Sequence, residues 1–178
     1  MAHIVGVVGS LRKESYNRKL MNAFMSSVPE GTTITEAPIA GLPLYNEDIE
    51  SEAVPESVQA FKQAIEVADA IVIATPEYNR GVPGVLKNAV DWASRPDGEN
   101  SFSGKTVLVV GASSGSIGAA VAQYDLKQSL LHLNATVLGQ PEFHLGTAGE
   151  KFAEDGTLTD ERTQERIKSA IAALVARV

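Results

Sequence analysis

"HIVGVVGSLRKESYN", His3 to Asn17, decides how this chain is read. After His3 the run to Gly9 is continuously apolar, with no polar alternation. A strand with one wet face alternates, whereas one covered on both faces reads as an unbroken apolar run. The run stops at Ser10, and Arg12, Ser15 and Asn17 follow in the turn that opens a helix. A helix start leaves main-chain N–H groups free at the positive end of its dipole. Ser10, Ser15 and Asn17 add neutral donors there, and Arg12 adds a planar cation able to hold a phosphate through two parallel bonds. The stretch therefore predicts an anion site directly after a buried strand. Taken singly, Ser15 also reads as a helix N-cap and Arg12 as a surface charge.

Two further runs have the same character, "DAIVIAT" (Asp69 to Thr75) and "KTVLVVGA" (Lys105 to Ala112). A shorter strand is predicted at Thr32 to Ala37 and a weaker one around Ala135 to Phe143. Helical periodicity fills the gaps at Asn17 to Val28, Pro55 to Val67, Pro83 to Ala93, Gly118 to Leu133 and Asp160 to Val178. Pro55 suits a first helical position, and Asp160 and Glu161 fall where a helix dipole favours acids. Strands alternating with helices predict right-handed crossovers and a doubly wound sheet. The expectation is an α/β, flavodoxin-like three-layer sandwich. It has a five-stranded parallel sheet in the order 2-1-3-4-5 with helices on both faces, formed by residues 1–178 as one domain. The connection from Pro38 to Val54 is long, and loops of that kind are functional or covered by a partner.

Composition narrows the function classes. The chain has 178 residues, 44% of them hydrophobic, and a net charge of −7. Such a surface as a whole does not suit nucleic acid or an anionic membrane. It contains no cysteine, which removes disulfides, thiolate metal sites and a Cys nucleophile. No run approaches the ~20 apolar residues of a membrane span, and the N-terminus lacks a signal-peptide pattern. A cytoplasmic protein without membrane insertion is the expectation. His3, His132 and His144 lack metal-ligand spacing and read as structural.

Ligands of open parallel sheets sit beyond the carboxyl ends of the strands, where strand order reverses. Two more loops leave the sheet at that edge. "TPEYNRGVPG" (Thr75 to Gly84) is stiffened by Pro76, Gly81, Pro83 and Gly84 and carries Tyr78 and Asn79 at its tip. Such a loop can present amides to the polar edge of a flat heterocycle, with Tyr78 as an apolar face, or be a structural turn. "GASSGSIGAA" (Gly111 to Ala120) is built of small residues that permit close approach to the backbone. It reads as a slot lined by Ser113, Ser114 and Gly115, and equally as a helix start capped by Ser116. Neither G-x-G-x-x-G nor G-x-x-x-x-G-K-[ST] follows the first strand. That disfavours a dinucleotide fingerprint and a P-loop.

"GSLRKESYN", "TPEYNRGVPGVLKNAVDWASRP" and "SSGSIG" together resemble the NADPH-dependent FMN reductase family, in its branch of soluble quinone reductases also described as chromate reductases. The resemblance implies that Ser10, Arg12, Ser15 and Asn17 bind the FMN phosphate. It implies that Pro76, Glu77, Tyr78 and Asn79 hold the isoalloxazine ring, and that Ser113, Ser114 and Gly115 line its remaining edge. Where relatives often carry a basic residue early in the fourth predicted helix, this chain has Val121.

The resemblance further implies FMN as cofactor and NADPH or NADH as co-substrate. A ping-pong cycle would pass electrons to a small acceptor such as a quinone, chromate, an azo dye or free flavin. No catalytic side chain and no metal are expected, since the flavin carries the chemistry. A homodimer or homotetramer is implied too, with Trp92, Val85 and the Pro38 to Val54 loop as candidates for subunit contact or for packing within one chain. Two rival readings use the same fold: a single-electron carrier that binds FMN and protein partners, and a flavin-free interaction module.

Overall fold

The computed structural model describes residues 1–178. In chain order the elements are β1 (Ala2–Val8), α1 (Tyr16–Ser26), β2 (Thr32–Glu36), α2 (Glu47–Glu52), α3 (Glu56–Val67), β3 (Ala70–Ala74), α4 (Gly84–Ala93), β4 (Thr106–Ala112), α5 (Ala120–His132), β5 (Thr136–Val137), β6 (Phe143–Leu145), a single 3₁₀ turn (Ala148–Glu150) and α6 (Glu161–Val175). All strand pairings are parallel, and the order is β2-β1-β3-β4-β5, with β6 also on β4. This is the expected doubly wound, flavodoxin-like arrangement.

The unbroken apolar runs have the expected cause. Ile4, Val8, Val72, Leu108 and Val110 face a core shared with α1 and α6. Their neighbours Val5, Val7, Ile71, Ile73, Val107 and Val109 face the other core, shared with α3, α4 and α5. Each strand thus sends alternate side chains into two buried layers. At Gly6 the approach of α1 is so close that a Cβ would stand 2.7 Å from Met21 Sδ.

Four local expectations change. The strand expected over Ala135 to Phe143 is two pieces. β5 pairs with Thr106 and Val107, whereas β6 pairs with Val110 to Ala112. Between them lies Pro141, which has no N–H to give a ladder. Pro55 and Pro83 precede their helices as extended caps, ψ 145° and 140°, rather than opening them. The Pro38 to Val54 connection contains the short helix α2, capped by Asn46 through a 2.9 Å bond from Asp48 N–H. Six residues with no buried position give too little periodicity to be seen in sequence.

That connection is anchored to its own chain at Pro43 and Tyr45, while Leu44 between them is 81% exposed. Trp92 is buried, its indole N–H donating to the Pro43 carbonyl at 2.8 Å and its ring edge-on to Tyr45. Asn88 also donates to the Pro43 carbonyl and accepts from the Tyr45 N–H, each at 2.8 Å. Trp92 therefore packs within the monomer against Pro43 and Tyr45, while Leu44 and Val85 remain exposed. His3 of the inner strand β1 is bonded to the Thr35 hydroxyl of the edge strand β2 at 2.8 Å, a structural role. No helix is long and apolar enough to cross a membrane.

Asp160 caps α6, accepting from Thr163 N–H at 2.9 Å and from its hydroxyl at 2.5 Å. The Thr163 hydroxyl, then the Lys151 ammonium, hold its carboxyl at about 2, below the ordinary 3.8. A depressed carboxyl pKa stabilises the fold above the unfolded value and loses that effect as pH falls through the folded one. Unfolding midpoints in urea should therefore drop between pH 3.8 and about 2. Asp160→Ala should flatten the drop within that window; an equal slope in both proteins would remove Asp160 from the acid response.

Candidate functional site

The loops after β1, β3 and β4 meet at the carboxyl edge of the sheet, and strand order reverses between β1 and β3. They enclose a crevice of about 130 Å³. The first loop and the start of α1 line it with Ser10, Arg12, Ser15, Tyr16 and Asn17. The second contributes Pro76, Glu77 and Tyr78, and the third Ala112, Ser113 and Ser114. Of the eleven residues expected from sequence, only Asn79 and Gly115 fall outside the lining. Tyr16 and Ala112 are the additions. Each adjoins an expected residue, Tyr16 as the first residue of α1 and Ala112 as the last of β4.

The first loop is built around a capped helix start. Ser15 accepts from Arg18 N–H at 3.4 Å, and Ser10 accepts from Arg12 N–H at 3.3 Å. The N–H groups of Tyr16 and Asn17 find no main-chain acceptor. Arg12 is exposed and forms no ion pair, whereas nearby Arg18 is paired with Glu36. The cation facing the crevice is thus uncommitted. Ser15 is an N-cap and a lining residue at once, so its two sequence readings coexist.

Asn17 does something the sequence does not reveal. Its side-chain amide donates to the Ala112 carbonyl and accepts from the Ala112 N–H, both at 2.9 Å. The side chain, buried to 2% exposure, therefore fastens the start of α1 to the end of β4. Its main-chain N–H stays without a main-chain acceptor.

The second loop is a tight turn closed by reciprocal bonds between Tyr78 and Gly81, at 3.3 and 3.0 Å. Its central residues, Asn79 and Arg80, have φ of 52° and 63°. Two left-handed residues in succession make a type I′ turn. Asn79 lies outside the crevice lining, and the Tyr78 ring is half exposed beside it.

Glu77 joins the second loop to the third. Its carboxylate accepts from the N–H groups of Val121 and Ala122, at 3.0 and 3.1 Å, in the first turn of α5. The other oxygen lies 3.5 Å from Arg80. From α5, Asp125 in turn accepts from Val82 N–H at 3.4 Å. Glu77 is thus the acceptor that α5 lacks locally, and the sequence expectation of a Ser116 cap is replaced. Ala119, at φ 61°, stands at the cap position with no side-chain bond to offer. Gly118 explains the shape, for at φ 63° a Cβ would meet Leu145 N at 2.6 Å. Ser113 braces the same loop, donating to the Gly115 carbonyl at 3.0 Å and accepting from Gly118 N–H at 3.2 Å.

Chemically, the crevice offers an uncommitted guanidinium and free amides at one end and an aromatic face opposite a small-residue wall at the other. It holds no nucleophile–base pair, and its one carboxylate is engaged by main-chain N–H groups. Such a site binds and orients.

Comparison with known proteins agrees with that chemistry. The profile described as NADPH-dependent FMN reductase matches residues 2–150. An NAD(P)H-dependent FMN reductase of Pseudomonas aeruginosa is 44% identical over 171 residues, which is 96% of this chain and 92% of that protein. A quinone reductase of Pseudomonas putida is 48% identical over 155 residues, 87% of this chain and 83% of that one. Among solved structures, the flavoenzyme NAD(P)H:(acceptor) oxidoreductase FerB of Paracoccus denitrificans superposes with a TM-score of 0.91. It is 43% identical, with 99% of this chain and 96% of that chain covered.

The Glu77 bridge leads to a stability prediction. Removing a helix cap costs about 0.5–2 kcal/mol. Glu77→Ala should therefore destabilise the protein by about 1–2 kcal/mol in urea unfolding. Glu77→Gln, which keeps an acceptor oxygen, should recover part of the loss. Equal stability of Glu77→Ala and the parent would mean that the bridge does not hold the loops.

Proposed function

The chain belongs to the NADPH-dependent FMN reductase family, and from that premise we propose that it is an NAD(P)H-dependent oxidoreductase that holds FMN in the three-loop crevice and reduces small quinone-type acceptors. The observation that carries this reading is the uncommitted Arg12 beside the free N–H groups at the start of α1. A terminal phosphate carries about −1.5 to −2 charges, and a helix start with a guanidinium suits it. The donor set fits FMN: Arg12, the Ser10 and Ser15 hydroxyls and the main-chain N–H groups of Tyr16 and Asn17 would hold the phosphate. Pro76, Glu77, Tyr78 and Asn79 would form the loop against the ring, with Ser113, Ser114 and Gly115 along its other edge. When bound, FMN supplies the two-electron chemistry that connects a nicotinamide donor to the acceptor.

The protein's own part is orientation. Tyr78 would place an apolar face beside the ring. The Glu77 bridge would keep that loop and the Ser113–Ser114 wall at a fixed separation. Because the Glu77 carboxylate is held by α5, it is not assigned a proton-transfer role. One open face would be used in turn by nicotinamide and acceptor, which is the basis for a ping-pong cycle. Relatives named quinone reductase support a quinone acceptor.

Two further parts of the reading concern the surroundings of residues 1–178, taken as one flavin-binding domain. Exposed Ile117, Val121 and Tyr124 around the start of α5, with exposed Tyr78, support a second copy covering this edge in a homodimer or homotetramer. The absence of cysteine suits the reducing cytoplasm.

Heat should release FMN and not FAD from the purified protein, as judged by chromatography. Anaerobic NAD(P)H should bleach the bound flavin, and benzoquinone alone should then restore the colour. A flavin that NAD(P)H leaves coloured, while a one-electron donor reduces it, would replace this reading by the electron-carrier one. Arg12→Ala should leave the fold intact and weaken FMN binding by about tenfold or more, the equivalent of one charge-assisted bond. Titration of the apo-protein measures it; an unchanged Kd would return Arg12 to the role of a surface charge.

A further inference from the structure

Beyond Thr75 the ladder between β3 and β4 stops. Register pairs Ala74 with Val110, and the Val110 carbonyl still accepts from Thr75 N–H at 2.9 Å. Residues two apart on a strand direct their main-chain groups to the same side, so those of Ala112 also face the β3 side. In a continued parallel ladder they would meet the Thr75 carbonyl and the Glu77 N–H. No main-chain bond joins Ala112 to either residue. β3 ends at Ala74, and Pro76 and Glu77 instead line the crevice from the second loop. Ala112, Ser113 and Ser114 line it from the third. Ser113 is held from the other side, its N–H donating to the Leu145 carbonyl at 3.0 Å.

The crevice thus opens where the sheet gives up two ladder bonds at Ala112, a residue only 2% exposed. Main-chain groups buried in that state without partners are costly. The Asn17 side chain takes the place of the missing strand. Its carboxamide carries one C=O and one NH₂, the acceptor and donor of a peptide unit. It meets the N–H and the C=O of Ala112, both at 2.9 Å. Aspartate could accept from the N–H but would set an oxygen against the carbonyl, and serine has too few atoms to reach both groups. The chemistry of Asn17 is therefore matched to the end of β4.

We propose that Asn17 is a positioning residue for the ring half of the flavin site and not a side-chain ligand of the phosphate. By completing the sheet at Ala112 it fixes the Ser113–Ser114 wall while the crevice stands open. The proposal rests on the flavoenzyme reading above. The phosphate is then left to Arg12, the Ser10 and Ser15 hydroxyls and main-chain N–H groups. Asn17 belongs to the start of α1 and is bonded to the wall, so one residue sets the separation between the two ends of the ligand.

The first measurement needs no variant. Hydrogen exchange followed by NMR should show the Ala112 N–H protected in the apo-protein and equally protected once FMN is bound. Fast exchange of that amide in the FMN-loaded protein would overturn the proposal, because the Asn17 side chain would then have left Ala112 for the ligand. The second measurement uses riboflavin, which has the same ring and no phosphate. Asn17→Ala should raise Kd for riboflavin by about tenfold, the equivalent of a buried polar group left unpaired. Kd for FMN should rise by the same factor. A rise for FMN with none for riboflavin would overturn the proposal by making Asn17 a phosphate ligand. No rise for either would overturn it by showing that the wall stands without Asn17. Visible circular dichroism of the bound FMN should also change in Asn17→Ala, since it reports on the surroundings of the ring; lower stability alone would leave it unmoved. An unaltered spectrum would overturn the proposal. Failure of the flavoenzyme reading looks different: the parent would bind neither FMN nor riboflavin, while its Ala112 N–H would still be protected.

Discussion

β1, β3 and β4 are covered by helices on both faces, so their main-chain groups are used within the sheet. A buried N–H or C=O without a partner is costly. Unpaired donors can therefore be presented only where strands stop and helices start. That constraint puts the free amides of Tyr16 and Asn17 at the carboxyl edge, and it makes the loops after β1, β3 and β4 the natural place for ligand chemistry. The helices add to it. In a right-handed crossover each helix that follows a strand begins at that same edge, so the positive ends of their dipoles gather there.

Concentrating helix starts at one edge also creates a difficulty, since each brings donors that need acceptors. The chain meets it in different ways at different helices. α1 is capped by its own Ser15 but keeps two N–H groups available. α6 is capped by Asp160 with help from Lys151. α5 has no local cap, and Glu77 from another loop supplies it. The result is selective. The start of α1 is left open to an anion, while that of α5 is closed by a carboxylate that simultaneously braces the Tyr78 turn. Asn17 completes the frame by bonding α1 to the end of β4. A network satisfied in this way is rigid, and rigidity in the supporting groups is what a binding site needs in order to orient its ligand.

Charge follows the same division. The crevice edge collects Arg12, Lys13 and Arg18 on an otherwise acidic chain. Arg80, by contrast, is turned towards Glu77, and Lys127 is near Glu142. Cations on the α5 side are thus paired, whereas on the α1 side Arg12 and Lys13 carry no ion pair while Arg18 and Lys19 do. An acidic protein can in this way keep two uncommitted cations at one sheet edge without acquiring a basic surface that would attract nucleic acid or membranes.

Much of this was legible in the residues. Unbroken apolar runs at β1, β3 and β4 imply a doubly covered parallel sheet, and hydrogen-bonding residues after the first of them imply an anion site. Those inferences rest on local composition and on periodicity, which a linear chain displays directly. The family resemblance carried the sequence reading from an anion site to a flavin site, because its motifs span all three loops. The short α2, the break at Pro141 and the Ala119 cap were not legible, since each depends on a few residues without periodicity. Roles that require a distant partner were hidden as well. Asn17 looks like one more donor for a ligand until Ala112 is beside it, and Glu77 looks like an acid until α5 is beside it. A side chain's sequence position gives its chemistry, but whether that chemistry is available or already engaged is decided by which main-chain groups the fold brings within 3 Å of it.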